Sequence, residues 1–126
     1  MSKKTVYTKD APEPIGPYSQ AIQFNNLIFT SGQIPIDPVS GQFIDGDIKA
    51  QTKQTIRNIE NILTAGGSDI SKVIKVTVYL KDINEFAAMN EIYEEYFGKS
   101  KPARSTIEAA KLPKGALIEL DAIAFV

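Results

Sequence analysis

A chain of 126 residues, 43% hydrophobic and 23% charged, reads as one soluble domain spanning residues 1–126, able to bury roughly two-thirds of its unfolded surface. Its net charge of −1 comes without any block of Lys or Arg, and no apolar run reaches the roughly 18 residues of a membrane span, so neither nucleic acid nor membrane is an expected partner. The absence of Cys, His and Trp removes disulfides, thiol nucleophiles, Ser-His-Asp triads and His/Cys metal sites. Arg, Lys, Glu, Asp, Tyr, hydroxyls, backbone groups and water are left to carry any chemistry.

Met1-Ser2-Lys3-Lys4 leads into polar residues and not into an apolar signal core, which makes the cytosol the expected location. Val6–Thr8 reads as a short first strand. Residues 11–18 hold three prolines and a glycine and must form an irregular loop. The runs Ser19–Phe24 and Leu27–Ser31 flank Asn25-Asn26, two residues tolerant of positive φ, which predicts a tight hairpin. Gly32-Gln33-Ile34-Pro35 ends the second of these strands, and residues 36–46 form a turn-rich connector.

Asp47 is an N-cap candidate. Ile48, Thr52, Ile56, Ile59, Ile62 and Leu63 then recur at helical spacing to Ala65, with Gly66-Gly67 as the stop. Val73–Leu80 alternates, with Ile74, Val76, Val78 and Leu80 on one face and Lys75, Thr77 and Tyr79 on the other. Asp82 or Asn84 caps a second helix that runs to Phe97 and stops at Gly98. Pro102 bars any continuation of it. Thr106–Ala109 and Leu117–Phe125 are the last strands. The order β-β-β-α-β-α-β-β predicts a two-layer α/β (α+β) domain, a mixed sheet of about six strands with two helices on one face.

The last strand sharpens this. Ile118, Leu120, Ala122, Ala124 and Val126 form an apolar face for the helices. The opposite face carries Leu117, Glu119, Asp121, Ile123 and Phe125. Two helices cover one face only, so this second face predicts a large apolar patch that another copy of the chain would cover.

Five places invite a functional reading. Arg104 stands at the mouth of a strand, where its planar fork suits a carboxylate. Glu119 is a mid-strand carboxylate on the second face, a candidate to orient water. Asn90 interrupts the apolar stripe of the second helix and offers an amide to shape a pocket. Ser31-Gly32 ends a strand where glycine admits close approach to the backbone, and Tyr18 follows the stiff proline loop. Each has a plain structural alternative: a surface ion pair, an interface salt bridge, a buried amide, a turn, and packing.

Taken together, Gly16-Pro17-Tyr18-Ser19-Gln20-Ala21, Ser31-Gly32-Gln33-Ile34-Pro35, Asn90-Glu91-Ile92-Tyr93, Pro102-Ala103-Arg104-Ser105 and Ile118-Glu119-Leu120-Asp121-Ala122-Ile123-Ala124 resemble the RidA (YjgF) family of reactive intermediate/imine deaminases, in order and end to end. The resemblance implies a fold like that of the small trimeric chorismate mutases, and a homotrimer with sites between subunits. It implies hydrolysis of 2-iminobutanoate and 2-iminopropanoate, or their enamine tautomers, to 2-oxo acids and ammonia without a cofactor or metal. By motif, Arg104 would grip the substrate carboxylate and Glu119 would position the attacking water. Tyr18 and Asn90 would line the pocket, and Ser31 and Gly32 would wall it near the imine nitrogen. Thr106 stands where many members have Cys and would act through its backbone N–H. Two other readings compete: a regulatory module that binds 2-oxo or amino acids without catalysis, and RNA cleavage, which the lack of His and of a basic patch disfavours.

Overall fold

The computed structural model describes residues 2–126. Six strands form one mixed sheet: β1 (Lys4–Val6), β2 (Ala21–Phe24), β3 (Leu27–Thr30), β4 (Val73–Leu80), β5 (Ala103–Glu108) and β6 (Ile118–Phe125). Their order across the sheet is β1-β2-β3-β6-β4-β5. Only β4 and β5 are parallel; every other neighbouring pair is antiparallel. Helices α1 (Ile48–Ala65) and α2 (Phe86–Phe97) pack together on one face. This is the predicted two-layer arrangement and element order.

The local signals explain the elements. Asn25, with φ of 53°, turns the hairpin between β2 and β3. The Asp47 carboxylate accepts the Ala50 N–H at 2.9 Å and satisfies a donor that α1 cannot satisfy itself. At the other end Gly67 takes the left-handed conformation, φ 83°, that closes the helix. Ile56, Ile59, Ile62 and Leu63 of α1 are fully buried in one core with Val76, Val78, Ile118, Leu120 and Ala124 of the sheet. Each such side chain contributes about 1.5–3 kcal/mol of burial.

Several boundaries differ from expectation. The first strand is Lys4–Val6, two residues earlier than predicted, because Val6 is the residue that enters the core. β5 begins at Ala103, three residues before the expected Thr106, since its parallel ladder to β4 starts at Lys75. The second helix does end at Phe97 with Gly98 as its C-cap, though Gly98 keeps right-handed angles and the left-handed residue is Lys101, φ 48°, immediately before Pro102. Asp82 caps a single tight turn, Ile83–Glu85, that feeds into α2. Val126 lies beyond the end of β6 and is half exposed instead of joining the apolar face.

The alternation in β4 also shifts. A bulge between Val73 and Lys75 inserts Ile74 as an extra residue, so Val73 takes the core position and Ile74 turns outward. From Val76 onward the predicted faces hold. Val73→Thr should therefore cost about 1–3 kcal/mol by burying a hydroxyl, whereas Ile74→Thr should change stability by about 0.5 kcal/mol or less. Paired urea titrations of the two variants check this.

Candidate functional site

The seven residues singled out by sequence fall into two groups, one on each side of the sheet. The first is built around Glu119, which lies on β6 and points away from the helices, opposite Tyr79 of β4. On its other flank the chain after β3 holds a bulge. Phe29 pairs with Ile123, and Gln33 then pairs with Leu120 through two backbone hydrogen bonds of 2.9 and 3.0 Å. The β3 side thus spends one residue more than β6 between the same two rungs. Thr30 Oγ1 fills the gap by accepting the Ala122 N–H at 3.0 Å. Ser31 is tied back by its N–H to Gln20 O at 2.8 Å and by its hydroxyl to Ser19 O.

This bulge presents the Gly32 backbone to Glu119. A Cβ at position 32 would collide with Glu119 Oε2 and lie 2.9 Å from its Cδ. Glycine was expected there for the approach of a ligand; the space is taken by the Glu119 carboxylate itself. Gly32 therefore sets where that carboxylate rests.

The loop before β2 forms the rim. Its prolines carry carbonyls but no N–H groups, so it is short of donors. The buried Gln20 amide supplies them, donating to the carbonyls of Thr8 at 3.0 Å and Pro12 at 2.9 Å while accepting the Thr8 N–H at 2.8 Å. This places Tyr18 at the mouth, half exposed, its hydroxyl accepting the Ile15 N–H at 3.3 Å. The resulting pocket of about 470 Å³ is lined by Ile15, Tyr18, Ser31, Gly32, Pro113 and Glu119 among others. Sequence reasoning did not find Gln20; the excess of carbonyls over N–H groups in the proline loop was the available signal.

The Glu119 carboxyl is pushed above the ordinary carboxylate range, first by burial and then by the charge of Asp121. Among the described residues no cation pairs with it; the ion pair present joins Lys49 and Glu91 on the helix surface.

The second group surrounds Arg104. Its Cα partner is Val76, whose side chain is in the core, so Arg104 points to the helix side of the sheet. There three side chains of α2, spaced by four and three residues along one helix face, hold the guanidinium. Asn90 Oδ1 accepts from Nη1 at 2.7 Å, and the rings of Tyr93 and Phe86 lie 4.5 and 5.1 Å from the guanidinium carbon. The charge is thus held by an amide and two π faces. Among the described residues it has no carboxylate partner. It borders an open pocket of about 450 Å³ with Asn90, Gly98, Lys101 and Pro102. Thr106 lies two residues along on the same side, and β5 is an edge strand with one edge unpaired.

Glu119, Tyr18, Ser31 and Gly32 are thus brought together, as are Arg104, Asn90 and Thr106, but β4 separates the two groups and they open on opposite faces. The family described as Endoribonuclease L-PSP matches this chain over residues 8–126. A Rid-family protein of Yersinia pestis named YyfA superimposes with a TM-score of 0.96 at 46% identity, covering 99% of this chain and all of that one. The chain belongs to the RidA (YjgF) family. A RutC family protein of Pyrococcus abyssi is 58% identical over 99% of this chain and 98% of its own length. A mouse protein named 2-iminobutanoate/2-iminopropanoate deaminase is 46% identical over 97% of this chain and 90% of its own.

In this RidA chain the contact of Gly32 with Glu119 is open to a direct test. Gly32→Ala should destabilise by about 1–3 kcal/mol through overpacking. Combined with Glu119→Ala, the same change should cost about 1 kcal/mol less, because the clashing group is gone. Urea titrations of the two single variants and the double variant give the coupling energy.

Proposed function

We propose that the two groups are halves of one site, completed when a second copy brings its Arg104 half against the Glu119 half of its neighbour in a homotrimer. The observation that carries this reading is their separation by the sheet, with a cation in one half and a carboxyl in the other that, among the described residues, have no ion-pair partner. The outer face supports it. Phe24, Phe29, Ile107 and Phe125 stand exposed there around Glu119 and Asp121, a patch suited to burial by another subunit.

The reaction is hydrolysis of a 2-imino acid to a 2-oxo acid and ammonia, in keeping with the name of the mouse relative. Arg104 grips the substrate carboxylate with the N–H groups that Asn90 leaves free, while the Thr106 backbone N–H offers a further donor. Glu119, as a carboxylate, takes a proton from water as the water oxygen bonds to the imine carbon and the C=N pair moves to nitrogen. Returning that proton to nitrogen makes ammonia the leaving group; the C–N bond breaks as the carbonyl forms, and the hydroxyl proton passes to the Glu119 carboxylate, now ionised again, and on to solvent. Tyr18 and the Ser31-Gly32 backbone wall the imine end. A protonated imine is already electrophilic, so placement of substrate and water supplies most of what the step needs. Neither half gathers a cluster of Lys and Arg, which argues against RNA as the substrate despite the family's description. A metabolite-binding role without turnover would use the same Arg104 contact; ammonia release from an imine generated in situ separates the two.

Arg104→Ala should lower kcat/KM by roughly 30- to 5,000-fold, the usual consequence of removing one partner of a desolvated charge pair. It should leave the fold intact. Arg104→Lys should recover part of the loss, and Lys99→Ala should behave as wild type. Glu119→Gln should keep 2-oxo acid binding and lose turnover. Because the Glu119 carboxyl sits above the usual range and acts ionised, kcat/KM should rise with pH through that elevated value. Light scattering should report three copies per particle. A stable monomer that turns over imines would overturn the shared site, and near-wild-type turnover by Arg104→Ala would reduce the arginine to packing.

A further inference from the structure

We propose that Asp121, fixed by Tyr79, is a positioning residue of the Glu119 site, so that the two carboxyls of β6 work as one coupled pair. The inference rests on the assignment of Glu119 above. Glu119 and Asp121 occupy successive outward positions of the same strand, about 7 Å apart along it. Tyr79 is the Cα partner of Glu119, yet its hydroxyl reaches diagonally past Glu119 and donates to Asp121 Oδ2 at 3.2 Å. The ring of Tyr79 therefore stands beside Glu119 while its hydroxyl anchors the neighbouring carboxylate. Thr77 is directly opposite Asp121.

The surroundings of the pair are uneven. From β4, Lys75 lies nearer Asp121 than Glu119, and its ammonium is already engaged by Ser105 Oγ of β5 at 2.9 Å. On the β3 side the Gly32 backbone, an uncharged neighbour, stands against Glu119. Glu13 and Lys114 are exposed at the pocket rim and carry opposite charges. Arg104 is on the other face of the sheet; an Arg104 supplied by a second copy would act equally in every variant below. Burial raises the Asp121 carboxyl as well, but the Tyr79 hydroxyl and the Lys75 charge oppose part of that rise. Glu119 has neither. The uneven donors therefore favour the proton on Glu119 and the negative charge on Asp121. That charge keeps Glu119 protonated to higher pH than burial alone would. This gives the water-positioning group a proton affinity high enough to take a proton from water and return it to nitrogen.

The test is a ¹³C NMR titration of the side-chain carboxyls, with the Glu119 signal assigned by its loss in Glu119→Gln. Asp121→Asn, nearly isosteric, should lower the Glu119 midpoint by about 0.5 to 1.5 pH units, the range for a unit charge at about 7 Å between aqueous and protein-surface screening. Asp121→Glu, which keeps the charge, should leave most of the elevation. Tyr79→Phe should raise the Asp121 midpoint and lower that of Glu119 by a smaller amount. The acid limb of kcat/KM for imine hydrolysis should move with the Glu119 midpoint. A Glu119 midpoint unchanged in both Asp121→Asn and Tyr79→Phe would overturn the coupling and leave Asp121 a packing residue. A midpoint that shifts while the wild-type protein hydrolyses no imine would sustain the pair and overturn the catalytic reading of the site. Should Asp121→Asn fail to fold, Tyr79→Phe alone decides.

Discussion

The position of β6 in the middle of the sheet constrains everything else in this molecule. Strands β3 and β4 flank it, so its register is fixed from both sides. A slip of one residue would move Ile118, Leu120, Ala122 and Ala124 out of the core and drive Glu119 and Asp121 into it, a cost no neighbouring contact offsets. The same alternation that builds the core therefore aims two carboxyls at the opposite face. The bulge after β3 then sets Gly32 beside one of them. Core packing and site geometry are two readings of a single register.

Arg104 illustrates a different way of placing a charge. It is not neutralised by a carboxylate but steadied by Asn90, Tyr93 and Phe86, all from α2. An amide oxygen and two rings orient the guanidinium without consuming its charge. The guanidinium thus keeps its attraction for an anion, and the helix that packs the core also serves as its mount.

Much of the fold could be read from residues because the signals were local: the Asn25-Asn26 hairpin, the Asp47 cap, the isoleucine spacing of α1 and the alternation of β6. What was not legible depended on contacts distant in sequence. The bulge at Ile74 exists only because β4 must match β6, and nothing within Val73–Leu80 shows it. The start of β5 was placed at Thr106, and without its true start at Ala103 the parity that turns Arg104 toward the helices could not be drawn. Asn90 was read as a pocket amide; its actual partner, Arg104, lies fourteen residues away on another element. Family motifs named the candidate residues, but only the strand order shows that they divide into two groups on opposite faces.

The late position of β6 also bears on how the molecule is made. Strands β3 and β4 are synthesised well before residue 118 is added, yet they are not neighbours and cannot complete a sheet with one another. Until β6 slides between them, both present unpaired edges, and the isoleucines of α1 lack much of the surface that will cover them. The nascent chain is therefore a set of hairpin and helix fragments through most of its synthesis. It closes in one late, long-range step of the kind that is slow and exposes sticky intermediates. The final eight residues of the sheet act as a keystone, and chaperone demand should be highest just before they arrive.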